Sequence, residues 1–83
     1  MNENLPETII HKGYQIRPSP RSVIIEGVEK WRARFKIFEH KGSEVYERIY
    51  RGTVYETKQE AIQYCYQAGK KIIDMEPEKL TKH

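Results

Sequence analysis

The stretch Trp31-Arg32-Ala33-Arg34-Phe35-Lys36-Ile37-Phe38 decides the fold. Trp31, Ala33, Phe35 and Ile37 alternate with Arg32, Arg34 and Lys36. Period two belongs to a β-strand, whose successive side chains point to opposite faces. One face of this strand is therefore core, and the other is a row of cations. Lys41-Gly42-Ser43 supplies turn chemistry after it. A partner strand follows from about Glu44 to Arg51, with Val45, Glu47 and Ile49 on one face and Tyr46, Arg48 and Tyr50 on the other. That pattern is mixed. It leaves open the register, and with it the sheet face that carries Tyr46 and Tyr50. Gly52 breaks the run, and Thr53-Val54-Tyr55 leads into the next element.

Working outward, residues 1–7 read as a flexible N-terminus. Ile9, Ile10, Tyr14 and Ile16 predict extended chain interrupted at Gly13, and Pro18-Ser19-Pro20 is expected to end that element. Val23-Ile24-Ile25 reads as a short strand closed by Gly27, and as an edge strand. Downstream, Thr57-Lys58-Gln59-Glu60 has the form of a capping box. In it the Thr57 hydroxyl accepts from the Glu60 amide, and the Glu60 carboxylate reaches back to the Thr57 amide. The spacing predicts a helix from Lys58 to Met75, stopped by Pro77. Its apolar arc centres on Cys65, with Ala61, Ala68 and Ile72 beside it, and small residues there allow close approach to a sheet. One helix with one apolar stripe needs an apolar sheet face to cover it. The expected fold is therefore a two-layer α+β domain over residues 8–75: an antiparallel sheet of three or four strands with one long C-terminal helix on one face. Residues 76–83 read as a flexible tail.

The chain has 83 residues, so one small domain is expected. One cysteine excludes an intramolecular disulfide and a Cys-rich zinc site. Cys65 is expected to sit in the helix–sheet interface as an inert thiol, since apolar burial raises a thiol pKa. His11, His40 and His83 lie far apart in sequence, and nothing in the pattern brings them together. No catalytic residue, metal site or cofactor is expected, and the chain reads as non-enzymatic. No apolar run is long enough to span a bilayer and the start is polar and acidic, so the expectation is a soluble cytoplasmic protein without a membrane role.

The net charge is only +3, but residues 12–52 hold ten basic and five acidic residues between weakly acidic ends. Basic groups neutralise phosphates and aromatic rings stack on bases. Arg32, Arg34, Lys36, Arg48, Tyr46 and Tyr50 are therefore the candidate nucleic-acid-binding residues, with Gln15 and Arg17 as an extension. The reading is a small non-enzymatic binding module acting on nucleic acid, or regulatory, through the basic open sheet face. The alternative is a protein–protein interaction or homodimerisation module with no nucleic-acid role.

Lys12-Gly13-Tyr14-Gln15-Ile16 with Pro18, Trp31-Arg32-Ala33, Thr57 with Glu60-Ala61, and Lys71-Ile72-Ile73-Asp74 resemble a group of short bacterial proteins that includes the HlyU-type family. The resemblance implies a Gly-aromatic first strand, a central sheet, a helix ending in Ile-Asp and a transcription-regulator label. A second resemblance is to the AP2-type DNA-binding domain. It rests on the Trp31, Ala33, Phe35 row and on Gly52, Thr53, Val54, Thr57, Glu60 and Ala61 at the helix entry. It implies three strands and one helix, with DNA read through the open sheet face. The family's DNA-facing positions fall on Arg34, which stands where the family has an acid, and on Lys36.

Overall fold

The alternating segment lies at the centre of the sheet in the computed structural model, which describes residues 8–80. The strands are β1 (Ile9–His11), β2 (Tyr14–Pro18), β3 (Arg21–Ile25), β4 (Val28–Phe38) and β5 (Glu44–Tyr55). All pairings are antiparallel, and one helix, α1 (Lys58–Met75), follows. The fold is thus the expected α+β class, with a five-stranded sheet and a C-terminal helix packed against it. The β1–β2 and β3–β4 hairpins turn on Lys12-Gly13 (φ 54 and 87°) and Glu26-Gly27 (φ 53 and 80°). Positive φ at both central residues matches the twist of the flanking strands, and glycine takes the second position without a Cβ penalty.

The fifth strand arises because the Ile9–Ile16 stretch folds into the β1–β2 hairpin at Lys12-Gly13 and does not run as one strand, while β2 and β3 act as one strand broken in two. The pairs Arg17↔Lys36 and Pro18↔Phe35 of β2 continue without offset into Arg21↔Arg32 of β3, so both strands run end to end along the same side of β4. The proline segment ends β2 at Pro18, as expected, yet the register carries across it, and Ser19 donates its N–H to the Arg34 carbonyl at 2.9 Å. With Ser19 turned inward, the nitrogens of Pro18 and Pro20 face the outer side, where the ladder requires no donor.

β5 extends beyond the expected end at Arg51 and is bulged twice. Ile37 faces Tyr46 while Phe38 faces Glu44, which leaves Val45 as an extra residue. Arg34 faces Ile49 while Arg32 faces Val54, so the segment around Gly52 bows out and Val54-Tyr55 rejoins the ladder.

The helix spans the predicted residues. Extended Thr57 caps it, accepting from the Glu60 amide at 3.1 Å. The Glu60 carboxylate accepts from Glu56 at 3.1 Å, one residue earlier than expected, where the backbone has just left its last sheet pair at Tyr55. At the far end the Glu76 N–H donates to Ile72 at 2.9 Å, and a single 3-10 turn covers Pro77–Leu80. Leu80 is buried in the core. The expectation of a flexible tail from residue 76 is thereby corrected for 76–80, because this one apolar tail residue folds back under the sheet. The expected flexible segments 1–7 and 81–83 lie outside the described residues.

Ile16, Ala33, Phe35 and Ile37 form the sheet side of the core, and Ala61, Cys65, Ile72 and Ile73 the helix side. Contact is closest at Gly69, where an added Cβ would lie 2.9 Å from Ile16 Cγ2 and Cδ1. Ile16 is fully buried, so yielding to that methyl group means repacking its neighbours. Gly69→Ala gains about 1 kcal/mol of helix propensity but overpacks this contact by about 1–3 kcal/mol. The expected result is a lower melting temperature, partly recovered by adding Ile16→Val. A Gly69→Ala variant that melts higher than the parent would contradict the close approach.

Candidate nucleic-acid interface

Residues directly opposite one another in an antiparallel pair share a face. β4 turns Arg32, Arg34 and Lys36 away from the helix, and alternate residues repeat every ~7 Å along it. On its β2–β3 side, Arg17 stands opposite Lys36, Arg21 opposite Arg32 and Val23 opposite Lys30. The open face therefore gathers Arg17, Arg21, Lys30, Arg32, Arg34 and Lys36. Gln15, opposite Phe38, extends it as expected. Arg21 and Lys30 were not anticipated. Their signal lies in the two-residue turn at Glu26-Gly27, which sets the parity of the whole hairpin.

Two of these cations have acid partners. Lys30 Nζ lies 2.7 Å from Glu56 Oε2, and Lys36 Nζ 3.4 Å from Glu44 Oε1. The four arginines have no carboxylate within ion-pair distance among the described residues. Arg34 Nε donates to the Ser19 carbonyl at 2.7 Å, so its side chain lies over the strand break. Arg17 donates to Gln15 Oε1 at 2.9 Å, and its guanidinium sits 4.3 Å from the centre of the Phe38 ring. Arg32 Nε is buried with no hydrogen-bond partner. A shallow cleft of about 430 Å³ runs between Arg17, Arg34, Lys36 and Glu47.

Tyr46, Arg48 and Tyr50 do not join this face. Tyr46 pairs with Ile37 and Arg48 with Phe35, both on the helix side. The Phe35 ring lies 6.0 Å from Tyr46 and 6.2 Å from Tyr50, and Tyr50 meets Tyr64 of the helix edge-on at 5.0 Å. Glu47 and Ile49 occupy the open face instead, opposite Lys36 and Arg34. Of the six candidate residues, the structure brings Arg32, Arg34 and Lys36 together and sets the other three on the opposite side of the sheet. The open face thus carries charge with little aromatic surface.

His11 bonds Asp74 at 2.9 Å, as does Lys12, and the two groups hold the Asp74 carboxyl below its usual range. Both contacts tie the first turn to the end of α1. No cluster of three metal-ligating side chains occurs among the described residues, and no described helix is long and apolar enough to cross a membrane. Cys65 is fully buried and its Sγ donates to the Arg34 carbonyl at 3.3 Å. Burial pushes the thiol up to about 11. No family model, curated protein or solved structure matches the chain.

A thiol raised from 9.0 to about 11 has ~100-fold less thiolate at pH 8. Labelling of native Cys65 at pH 8 is expected to run at least that much slower than in denaturant. Equal rates would contradict its burial.

Proposed function

We propose that this chain is a small non-enzymatic module that binds nucleic acid through the phosphate backbone, using its open sheet face. The observation that carries this reading is the set Arg17, Arg21, Arg32 and Arg34, placed on one face with no acid partner among the described residues. Guanidinium groups match phosphate oxygens bidentately and stay charged at any physiological pH. The scarcity of aromatic surface there favours backbone contacts over base stacking, and hence weak sequence discrimination. The AP2-type resemblance, which also reads through an open sheet face, accords with this.

Four phosphate contacts predict a log–log salt slope of about −4 in a gel-shift or anisotropy titration. Replacing Arg17, Arg21 and Arg32 by Ala is expected to weaken binding and flatten the slope to about −1. Arg34 is left in place because it holds the strand break. Absence of binding at low salt, or an unchanged slope in a folded triple variant, would overturn the reading.

A second reading rests on the β3 edge. β3 pairs only with β4 among the described strands, and Ile24 and Val28 at that hairpin tip are 69% and 51% exposed. Two copies joined along β3 would cover this apolar tip and pair its free backbone groups. Sedimentation over a wide concentration range would then show a dimer that Ile24→Asp abolishes, whereas a monomer throughout would exclude it.

A further inference from the structure

The three residues turned away from the open face line a different feature. Tyr46, Arg48 and Tyr50 of β5 face Tyr64, Gln67 and Lys71 of α1 across a cleft of about 390 Å³. A pocket of that size holds one small molecule. Its cations are positioned in different ways. The Arg48 guanidinium lies 4.8 Å over the Tyr50 ring, and the Tyr46 hydroxyl beside it reinforces its protonated form. Tyr50 is itself set between Phe35 and Tyr64, so the ring under Arg48 is packed on both sides. Lys71 comes from the helix wall. Glu76, at the end of the cleft, pairs with Lys79 at 2.7 Å, and Lys79 first, then Lys71 and Arg48, hold its carboxyl below the usual range; Arg48 and Lys71 themselves have no carboxylate within ion-pair distance among the described residues.

A second groove, of about 530 Å³, adjoins the first and shares Tyr64 and Gln67 with it. Tyr55 and Tyr64 stack there at 5.6 Å, and Gln59, Gln63 and Gln67 line the helix side at intervals of one turn. Aromatic faces accept a base by stacking, and glutamine amides present the paired donor and acceptor that read a base edge. Arg48 and Lys71 supply what a phosphate needs. We infer that this two-part cleft between β5 and α1 is a site for a nucleoside monophosphate, with the phosphate on Arg48 and Lys71 and the base in the Tyr64–Gln63–Gln67 groove. It lies on the helix side of the sheet and does not depend on the reading of the open face.

The test is calorimetric titration of the full chain with three probes: adenosine monophosphate, adenosine and inorganic phosphate. The monophosphate is expected to bind more tightly than either part. Arg48→Gln with Lys71→Gln is expected to lower its affinity at least tenfold while leaving adenosine unchanged, and Gln63→Ala with Gln67→Ala to weaken adenosine and the monophosphate together. The open-face variant lacking Arg17, Arg21 and Arg32 is expected to bind the monophosphate as the parent does. Failure of the monophosphate to bind at millimolar concentration would overturn the assignment. So would phosphate binding as well as the monophosphate, or affinity lost only in the open-face variant.

Discussion

The structure depends on how closely α1 can lie on the sheet. Ala61, Cys65 and Gly69 recur every four residues along the buried side of the helix, and Gly69 meets the fully buried Ile16 where even a methyl group would collide. That approach brings the helix backbone down onto β2 and β4 together and lets the Cys65 thiol reach the Arg34 carbonyl. The same carbonyl accepts the Ser19 N–H across the break between β2 and β3, while the Arg34 side chain covers the Ser19 carbonyl from the other side. Arg34 therefore links the helix, the broken strand and the open face at one position.

A single helix can cover only one side of a sheet. The alternation in β4 then has a direct electrostatic consequence, because every residue that does not face the helix faces solvent. With β2 and β3 in a common register against β4, their arginines fall beside those of β4 and the charges add on one surface. A net charge of +3 thereby includes a local concentration of cations on that face, and such a concentration attracts polyanions. The bulges of β5 send its aromatic residues the other way, against α1, where they build a walled cleft. One sheet so presents an extended basic surface on one side and an open cleft against α1 on the other.

Much of this was legible in the chain. Strict alternation from Trp31 to Ile37 identified the core and its basic opposite face. Thr57 with Glu60 located the helix start, and Pro77 its end. The faces of Tyr46, Arg48 and Tyr50 were not legible. Their assignment depends on the length of the turn after Phe38 and on the extra residue at Val45, and one residue of slip moves every side chain of a strand to the other face. Pro18 and Pro20 read as a stop because proline lacks a donor. β2 does stop at Pro18; that its register continues into β3 shows only in the inward orientation of Ser19. Leu80 sits in a polar setting whose local pattern gives no helix or strand, so its burial is a tertiary effect. Arg21 and Lys30 could have been placed from the Glu26-Gly27 turn alone.

The central claim is that the open face, and not the helix side, meets the polyanion. Backbone amide shifts recorded while a short duplex is added to the full chain at low salt test it most directly. The account predicts perturbations concentrated at Arg17, Arg21, Arg32, Arg34 and Lys36, fading as salt is raised, with the outer surface of α1 around Lys58 and Lys70 unaffected. Perturbations confined to α1, or none at any ratio of duplex to protein, would contradict it.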